Sequence, residues 1–290
     1  MSSLWDKVTL GRSGLTVSRL GIASGYGIGA ADVERAVERG VNYLYWGSRR
    51  TGAFGEAIRN LAPRHRDGMV VVVQSYARAA LAVRPSLELA LRRLRLDYAD
   101  VLLLGWWNDP PPDRILDAAL TLREAGKVRT IMVSCHHRPT FGHYINDPVY
   151  GAIMVRYNAA HPGAEREVFP KLANVTPARR PAVLAFTATR WGKLLDPRLG
   201  PADDPTPRAS DCYRFVLSNP NVNATLVGPK NALELDEAMA SLDRGPMSEE
   251  ELAWMRRVGA SVRDKASHAG PVNVIDRIWK RSFARLPASV

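Results

Sequence analysis

The sequence predicts an α/β fold in which eight parallel strands alternate with helices and close into a barrel. Three observations lead to this prediction. Short apolar runs recur eight times along the 290 residues, segments of helical period separate them, and the runs are continuously apolar rather than alternating. Continuous apolar runs are typical of parallel strands that are covered on both faces. Eight such strands with intervening helices match the count of a (β/α)8 barrel.

The predicted elements follow one another in a regular order. Strands are predicted at 20–23, 42–46, 69–74, 101–106, 130–134, 153–157, 182–187 and 224–228. Helices are predicted at 31–39, 53–61, 86–96, 114–125, 168–172, 208–217 and 232–242. A further helix begins after Ser248, because Glu251 follows it at the spacing of a capping box. The proline-rich stretches 110–112 and 197–207 read as loops, since the alternation resumes after each, and one domain over 1–290 is expected.

An open, doubly wound sheet is the alternative architecture. Residues 25–30 read GYGIGA, which fits a dinucleotide-binding turn between a first strand and a first helix. Arg49 and Arg50 follow the second strand, where they would meet a 2′-phosphate. However, a glycine-rich turn at this place suits any α/β fold. Eight strand candidates without a switch in strand order favour the barrel.

The composition excludes several classes of protein. Apolar residues make up 46% of the chain and are spread along its length, which excludes intrinsic disorder. No apolar run approaches the roughly 18 residues of a membrane span, and the N-terminus lacks a signal-peptide pattern. Cys135 and Cys212 are the two cysteines of the sequence. We therefore expect a cytoplasmic protein without disulfides and without a membrane partner.

The net charge of +11 raises the question of nucleic-acid binding. Most arginines are scattered along the solvated faces of amphipathic helices. The densest late cluster comprises Arg277, Lys280, Arg281 and Arg285. No zinc, helix-turn-helix or aromatic-rich RNA-binding pattern accompanies this cluster, so a solvated basic tail is favoured and no nucleic-acid partner is expected.

An ordered series of motifs resembles the aldo-keto reductases. The motifs are LGRSGLTVSRLG at 10–21, GVNY at 40–43, LDYADVLLL at 96–104, GKVR at 126–129, Val133-Ser134, Tyr157-Asn158 and SNPNV at 218–222. They are similar, in order, to the opening hairpin and to successive strands of that family. The resemblance implies a TIM barrel of aldo-keto-reductase type, with an N-terminal hairpin and a C-terminal helical extension. It also implies an oxidoreductase that binds NAD(P)H and transfers hydride to a carbonyl at the carboxyl ends of the strands.

The family's catalytic residues do not recur at the matching positions. In that family a tyrosine donates a proton to the carbonyl, a lysine paired with an aspartate makes this proton labile, and a histidine orients the substrate. The matching positions hold Arg50, Gln74, Tyr45 and Gly105, respectively. No lysine lies between Lys7 and Lys127, so no shift in alignment restores the pair. Ordinary carbonyl reduction is therefore not expected of this chain.

The resemblance also identifies residues that would contact a dinucleotide. A serine binds the nicotinamide carboxamide, an aromatic ring stacks on the nicotinamide, a turn holds the phosphates and a glutamate contacts adenine. The matching residues are Ser134, Phe186, Gly228 with Lys230, and Glu237. Three other positions differ from the family, with Cys135 and Met154 beside the nicotinamide and Glu234 in place of an arginine for a 2′-phosphate. Binding of NADP or NAD, or of neither, remains open.

Polar and aromatic residues near the predicted strand ends are further candidates. Tyr45 is a candidate acid or, alternatively, a ring that fills the space of the missing ion pair. His136 and His161 are candidate acid–base groups, because imidazole titrates near neutral pH, although His161 and Asn158 also suit a hydrogen-bonded turn. The candidate substrate-pocket residues are Trp46, Arg50, Trp106, Tyr157 and Asn158. No metal site is expected, because adjacent histidines on an extended chain point to opposite sides.

Three functions remain open on the sequence alone. The first is an NAD(P)H-linked oxidoreductase with an unusual proton donor. The second is a non-redox enzyme, of isomerase, lyase or hydrolase type, on the same scaffold. The third is a non-catalytic barrel that binds a small molecule in an aromatic-lined pocket, or binds a protein.

Overall fold

The computed structural model of the chain describes residues 3–47 and 49–266. Its strands are β1 (Val8–Thr9), β2 (Thr16–Val17), β3 (Leu20–Ala23), β4 (Tyr43–Trp46), β5 (Val70–Ser75), β6 (Ala99–Leu104), β7 (Val128–Cys135), β8 (Tyr150–Arg156), β9 (Ala182–Phe186) and β10 (Ala224–Val227). Its α-helices are α1 (Ala30–Glu38), α2 (Gly52–His65), α3 (Ala80–Leu94), α4 (Asp113–Glu124), α5 (Phe141–Asn146), α6 (Ala164–Glu167), α7 (Phe169–Ala173), α8 (Ala209–Leu217), α9 (Ala232–Arg244) and α10 (Glu249–Lys265). The basic cluster at 277–285 lies outside the described residues.

Strands β3 to β10 form a closed barrel of eight parallel strands in sequence order. Strand β10 pairs with β3 and closes the barrel, with Leu226 opposite Gly21. The predicted (β/α)8 barrel is confirmed, and each predicted apolar run overlaps one barrel strand. The doubly wound alternative is wrong, because the glycine-rich turn at 25–30 follows the first strand of a closed barrel rather than of an open sheet.

The strands separate two apolar layers. Along β4, Tyr43 and Tyr45 belong to the cluster inside the barrel. Leu44 and Trp46 belong to the cluster between the barrel and its helices. Successive side chains of a strand point to opposite faces, so burial of both faces requires a continuously apolar strand. This alternation also places every second side chain at a strand's carboxyl end toward the barrel axis.

The amino end of the barrel is covered by the hairpin of β1 and β2. Leu10 and Val17 are fully buried in the inner cluster. The side chain of Arg12 donates to the carbonyl oxygens of Tyr150 and Arg179, both at 2.7 Å. Gly11 lies against the first residues of β9 with a φ of +51°, a position where a side chain would overlap the strand. The hairpin thus occupies one end of the barrel and leaves the carboxyl ends of the strands for a site.

The helices differ from the prediction at α3, at α5 and at α6, a four-residue helix over Ala164–Glu167 that was not predicted. Helix α3 begins at Ala80, six residues before the predicted start, and contains Pro85. Helix α5 was not predicted, because six residues are too few to show a helical period. The capping box of α10 is confirmed: Glu251 N donates to Ser248 Oγ at 3.2 Å, and Ser248 N donates to a carboxylate oxygen of Glu251 at 2.9 Å.

Candidate functional site

A cavity of about 180 Å³ opens at the carboxyl ends of the barrel strands. Its walls are formed by β3, β4, β8, β9 and β10, by the loops after them and by helix α8. The residues that line it include Tyr26, Tyr45, Met154, Phe186, Trp191 and Gly228. Reacting groups of (β/α)8 barrels lie at this end. The cavity is therefore the candidate active site.

The backbone near this cavity is strained at several non-glycine residues. Trp106, Thr187, Arg190 and Trp191 have φ angles of 58°, 60°, 51° and 54°. Among the described residues, Arg95 at the C-cap of α3 is the one other non-glycine residue with a positive φ. Each such conformation costs on the order of 1 kcal/mol or more and tends to occur at functional sites. The strain lies in the loops after β6 and β9, at the carboxyl end of the barrel.

Tyr45, Gln74 and Arg50 form a hydrogen-bonded cluster at this end. The hydroxyl of Tyr45 donates to the side-chain oxygen of Gln74, and both side chains are buried. The guanidinium of Arg50 donates to the backbone oxygen of Gln74 at 2.6 Å and lies 5.3 Å from the ring of Trp46. Burial, and to a lesser degree Arg93, lowers the pKa of Arg50, but an arginine remains charged near neutral pH. The structure thus joins three of the positions at which the sequence departs from the family.

Gly105 completes this cluster. A Cβ atom added at Gly105 would overlap the side-chain nitrogen of Gln74 and would lie 2.8 Å from the ring of Tyr76. The side chain of Gln74 therefore lies in the space that a larger residue at position 105 would need. Among the described residues, no lysine and no aspartate lines the cavity.

A second cluster lies where β7, β8 and β9 end. Arg156 donates through its guanidinium to Nδ1 of His136. The ring of His136 is 5.2 Å from the ring of Trp106 and 5.5 Å from the ring of Phe186, with an edge-to-face contact to Phe186. The guanidinium of Arg156 also lies 5.7 Å from the ring of Trp191. Three site residues predicted from the sequence, His136, Trp106 and Phe186, are thus brought together.

The residues that the resemblance assigns to the nicotinamide lie near the cavity. Phe186 and Met154 line it. The hydroxyl oxygen of Ser134 accepts a hydrogen bond from the backbone N–H of Trp106 at 2.8 Å. A hydroxyl that accepts one bond still has its own proton to donate. Ser134 is therefore able to donate a hydrogen bond to a carboxamide oxygen.

The residues that the resemblance assigns to the phosphates and adenine are already engaged. The ring of Tyr26 lies over Gly228, in the space of a Cβ atom at that position. The ammonium of Lys230 is 3.7 Å from the carboxylate of Glu234. The carboxylate of Glu237 accepts from the hydroxyl of Ser210 at 2.6 Å and joins helices α8 and α9. A ligand at this end of the site must compete with these contacts.

Four other residues that the sequence predicts for the site do not line the cavity. Tyr157 is buried on the outer face of the barrel wall, where its hydroxyl donates to Glu165 at 2.6 Å. Trp46 also faces the outer layer, and its indole N–H donates to the backbone oxygen of Thr51 at 3.2 Å. The side-chain oxygen of Asn158 accepts from the backbone N–H of His161 at 2.9 Å. These four residues, Trp46, Tyr157, Asn158 and His161, have structural contacts in the protein.

His161 lies in a positively charged environment. Burial is the main cause that lowers its pKa to about 4, and nearby arginines, of which Arg190 and Arg156 contribute most, act in the same direction. The imidazole is therefore neutral at pH values near neutrality.

Arg190 joins the strained loop after β9 to helix α10. Its side chain is buried, and its guanidinium donates to the backbone oxygen of Val262 at 2.7 Å.

Sequence reasoning assigned no role to two residues near the site, Arg156 and Tyr26. A usable signal existed for Arg156, because side chains two residues apart on a strand share a face. Met154 points into the barrel, so Arg156 at the end of the same strand points toward the same side. Tyr26 gave no such signal, because its place over Gly228 depends on the path of a loop with two glycines at φ +103° and +120°.

Residues 3–47 and 49–266 contain neither a metal-binding cluster nor a helix that could span a membrane. In these ranges no group of three or more histidine, cysteine, aspartate or glutamate side chains is arranged to hold a metal ion. No helix within them combines the length and the apolar character that crossing a bilayer requires.

Comparison with known proteins identifies several that are similar to this chain. No family model matches the sequence. L-galactose dehydrogenase from Arabidopsis thaliana is 22% identical over 276 residues, which cover 80% of this chain and 86% of that protein. The holo form of an aldo-keto reductase from Bacillus halodurans has a TM-score of 0.73 at 19% identity, over 88% of this chain and 96% of that chain. An aldo-keto reductase from Klebsiella pneumoniae in complex with NADPH has a TM-score of 0.73 at 21% identity, over 90% of this chain and 96% of that chain.

These similarities agree with the motifs in the sequence. The closed barrel of eight parallel strands with alternating helices matches the fold of these aldo-keto reductases. The resemblance predicted from the sequence is confirmed.

Proposed function

We propose that this barrel of the aldo-keto reductase fold is an oxidoreductase that binds NAD(P)H at the carboxyl ends of its strands. We further propose that it acts without a lysine-activated tyrosine. The observation that carries the proposal is the makeup of the cavity, which is lined by both Phe186 and Gly228. The resemblance assigns these two residues to the nicotinamide and to the phosphates. NADP and NADPH are bound in similar barrels from Klebsiella pneumoniae, which supports the same assignment.

The residues present fit the nicotinamide end of a dinucleotide. Phe186 offers an aromatic face, and stacking requires the ring rather than a hydroxyl. Ser134 has a hydroxyl proton to donate, and Met154 adds an apolar contact. When bound, the nicotinamide supplies a hydride to an acceptor. The protein's part is to orient the ring and the acceptor in that cavity.

The phosphates of a dinucleotide fit at Gly228 once the side chain of Tyr26 has moved. Tyr26 lies over Gly228, but its side chain is 52% exposed, so it can turn into solvent without a loss of core packing. Gly25 and Gly27 on either side of Tyr26 have positive φ angles that a loop with larger residues would not readily adopt. Lys230 is paired with Glu234, which reduces the charge available to a 2′-phosphate. We therefore expect similar affinities for NADPH and NADH.

Tyr45 lines this cavity and is the residue that the sequence predicts as a candidate proton donor. Its hydroxyl proton is bound to the neutral amide of Gln74. An amide oxygen carries no charge that would stabilise a tyrosinate, whereas an ammonium does, so this hydrogen bond does not replace the lysine of an activated tyrosine. Acceptors whose reduced form stabilises its own negative charge, such as quinones, do not need this proton at the moment of hydride transfer. Such an acceptor gains the hydride and then takes a proton from water.

Titration of the protein's tryptophan and NADPH fluorescence tests the proposal directly. We expect saturable binding of NADPH and NADH, weakened about 3- to 10-fold by Phe186→Ala because a stacked ring is lost. Phe186→Tyr keeps the ring and is the matched control, with wild-type affinity expected. No fluorescence response to either cofactor at millimolar concentration would overturn the proposal.

One observation favours a second candidate function, a barrel that binds a small molecule without a dinucleotide. The ring of Tyr26 fills the place over Gly228 where a phosphate would lie. A small ligand of the aromatic-lined cavity would leave Tyr26 in place. The same titration separates the two functions, because this second barrel would bind neither NADPH nor NADH.

The cellular location belongs to the same proposal. Cys135 and Cys212 are buried as free thiols, and burial is the main cause that raises the pKa of the Cys135 thiol to about 12. Free buried thiols suit a reducing compartment such as the cytoplasm.

A further inference from the structure

Three arginines meet in the groove between helices α2 and α3. Arg50 stands just before α2, and its guanidinium is 5.3 Å from the ring of Trp46. Nη1 of Arg59 and two atoms of the Trp46 indole each lie 3.5 Å from the position that a Cβ atom of Gly55 would have. The same Nη1 donates to the backbone oxygen of Arg93 at 3.1 Å. Trp46 belongs to the layer between the barrel and its helices, so the groove lies outside the barrel wall.

The three guanidiniums have no ion-pair partner in the described part of the chain. Arg50 donates to the backbone oxygen of Gln74 at 2.6 Å, and Arg59 donates to that of Arg93. Both acceptors are neutral carbonyls. The guanidinium of Arg93 itself has no hydrogen bond or ion pair with a described residue. Three positive charges therefore share one groove without a described carboxylate within ion-pair distance.

Arg50 and Arg93 are close enough for their charges to interact. Burial is the main cause that lowers the pKa of Arg50, and the charge of Arg93 acts in the same direction. The group that opposes these two effects is the phenol of Tyr45 rather than a carboxylate. Arginines stay charged near neutral pH. The like charges therefore repel each other when no anion is bound.

The guanidiniums also have N–H groups left for a solute. Each guanidinium has five donors, and Arg50 and Arg59 each use one nitrogen in the bonds above. Arg50 and Arg59 are partly exposed, and Arg93 is exposed. None of their nitrogen atoms belongs to the buried side-chain atoms that lack a hydrogen-bond partner. The remaining donors therefore face solvent.

We propose that Arg50, Arg59 and Arg93 bind a phosphate dianion, free or as part of a small molecule, in the groove between α2 and α3. A guanidinium presents paired N–H groups that match phosphate oxygens. Three positive charges attract a dianion more strongly than a monoanion such as acetate. This site goes beyond the proposed function, because none of the three arginines lines the cavity at the carboxyl ends of the strands.

Isothermal titration calorimetry of the full chain without cofactor tests the proposal, with inorganic phosphate as the probe. We expect saturable binding by the wild-type protein, and binding of acetate weaker by about 10-fold or more. Arg59→Gln and Arg93→Gln should each weaken phosphate binding about threefold or more, because one of three charges is lost. Arg64→Gln removes an exposed arginine elsewhere on α2 and is the matched control, with wild-type affinity expected.

Two further titrations define where and in what form phosphate binds. The turn at Gly228 and Lys230 is proposed above for the phosphates of a dinucleotide. Lys230→Gln should therefore bind inorganic phosphate as the wild type does. Phenyl phosphate separates the two sources of the anion: affinity equal to that of phosphate indicates a phosphate group on a larger molecule, and clearly weaker binding indicates the free ion.

Thermal unfolding gives a readout that a purely structural role of these arginines would not change. Phosphate should raise the Tm of the wild-type protein, and raise it less in Arg93→Gln. Without phosphate, Arg93→Gln should unfold at the wild-type temperature or above it, because repulsion with Arg50 is relieved.

Three results would overturn the proposal. The first is wild-type binding of phosphate that is no tighter than that of acetate. The second is equal phosphate affinity in Arg93→Gln and Arg64→Gln. The third is loss of phosphate binding in Lys230→Gln.

Discussion

The side-chain nitrogen of Gln74 occupies the space that a side chain at position 105 would need, so Gln74 and Gly105 are packed as a complementary pair. Gly105 is fixed on its other side as well. Its N–H donates to the backbone oxygen of Ser75 at 2.9 Å, and its carbonyl accepts from Arg78 at 2.9 Å. The ends of β5 and β6 are therefore coupled through side chain and backbone, next to the candidate active site.

Gly105→Ala should destabilise the protein, because the added methyl group overlaps Gln74 and crowds Tyr76. Overpacking of this kind costs about 1–3 kcal/mol in the free energy of unfolding. In a Gln74→Ala background the overlap with the amide is removed, so the cost of the same substitution should be smaller. Urea denaturation of the two single variants and the double variant measures this coupling. Strictly additive effects would show that the two side chains do not compete for one space.

Gln74→Lys should not create an aldehyde reductase. The new ammonium would lie near the charged guanidinium of Arg50, and Tyr45 stands where a carboxylate partner would be needed. We expect no NADPH oxidation with benzaldehyde beyond that of the wild type. We also expect a decrease of about 2 kcal/mol or more in the free energy of unfolding from the buried, uncompensated charge.

Gln74→Met is the control for this substitution, since it has similar length without the charge. It should lose the hydrogen bond from Tyr45 but avoid the electrostatic cost, and so unfold less readily than Gln74→Lys. Turnover of benzaldehyde by the lysine variant alone would contradict the assignment of position 74 within this site.

Tyr26→Ala should increase the affinity for NADPH. The ring over Gly228 must leave before phosphates bind, and the apparent affinity is reduced by the fraction of molecules in which the ring is in place. Removing the ring should lower the Kd about threefold or more in a fluorescence titration. Tyr26→Phe keeps the ring and should match the wild type. Weaker binding by Tyr26→Ala would instead mean that the tyrosine stacks on the dinucleotide.

The pH dependence of stability should contain a contribution from His161. Its pKa in the folded protein is about 4, below the value of 6.5 for a free imidazole, with burial as the main cause. In the intervening range the unfolded chain binds a proton that the folded chain does not, so stability falls as the pH falls. Between about pH 7 and about pH 5 this group should account for a loss of about 2 kcal/mol at most.

Urea denaturation at these two pH values measures that contribution. His161→Gln cannot take up the proton and should lose less stability on acidification than the wild type. His65→Gln changes an exposed histidine and should show the wild-type dependence. Equal losses in His161→Gln and the wild type would show that His161 is not held neutral by its surroundings.

The barrel was predictable from the sequence because both faces of each strand are buried. Runs such as Ala182–Phe186 must then be apolar at nearly every position, and their number and spacing give the architecture. Strand ends were predicted within a few residues. Short helices such as Phe141–Asn146 were missed, because one or two turns contain too few residues to show a period.

The site was predictable only in part. Matching of motifs located Tyr45, Arg50, Gln74 and Gly105, and the structure joins all four. Motifs do not report which face of a strand or loop a residue occupies, so Tyr157 and Trp46 were included although they point to the outer layer. Tyr26 acts through its contact with Gly228, a residue distant in the sequence, and such a contact is visible only after the chain has folded.

The central claim is that this barrel transfers hydride from NADPH but lacks an activated proton donor for simple carbonyls. Stopped-flow mixing of the protein–NADPH complex with phenanthrenequinone, and separately with benzaldehyde, measures this most directly. We expect the protein to accelerate NADPH oxidation by the quinone above the rate in buffer, and to leave the rate with benzaldehyde unchanged. Rapid reduction of benzaldehyde, or no acceleration with either acceptor, would contradict the claim.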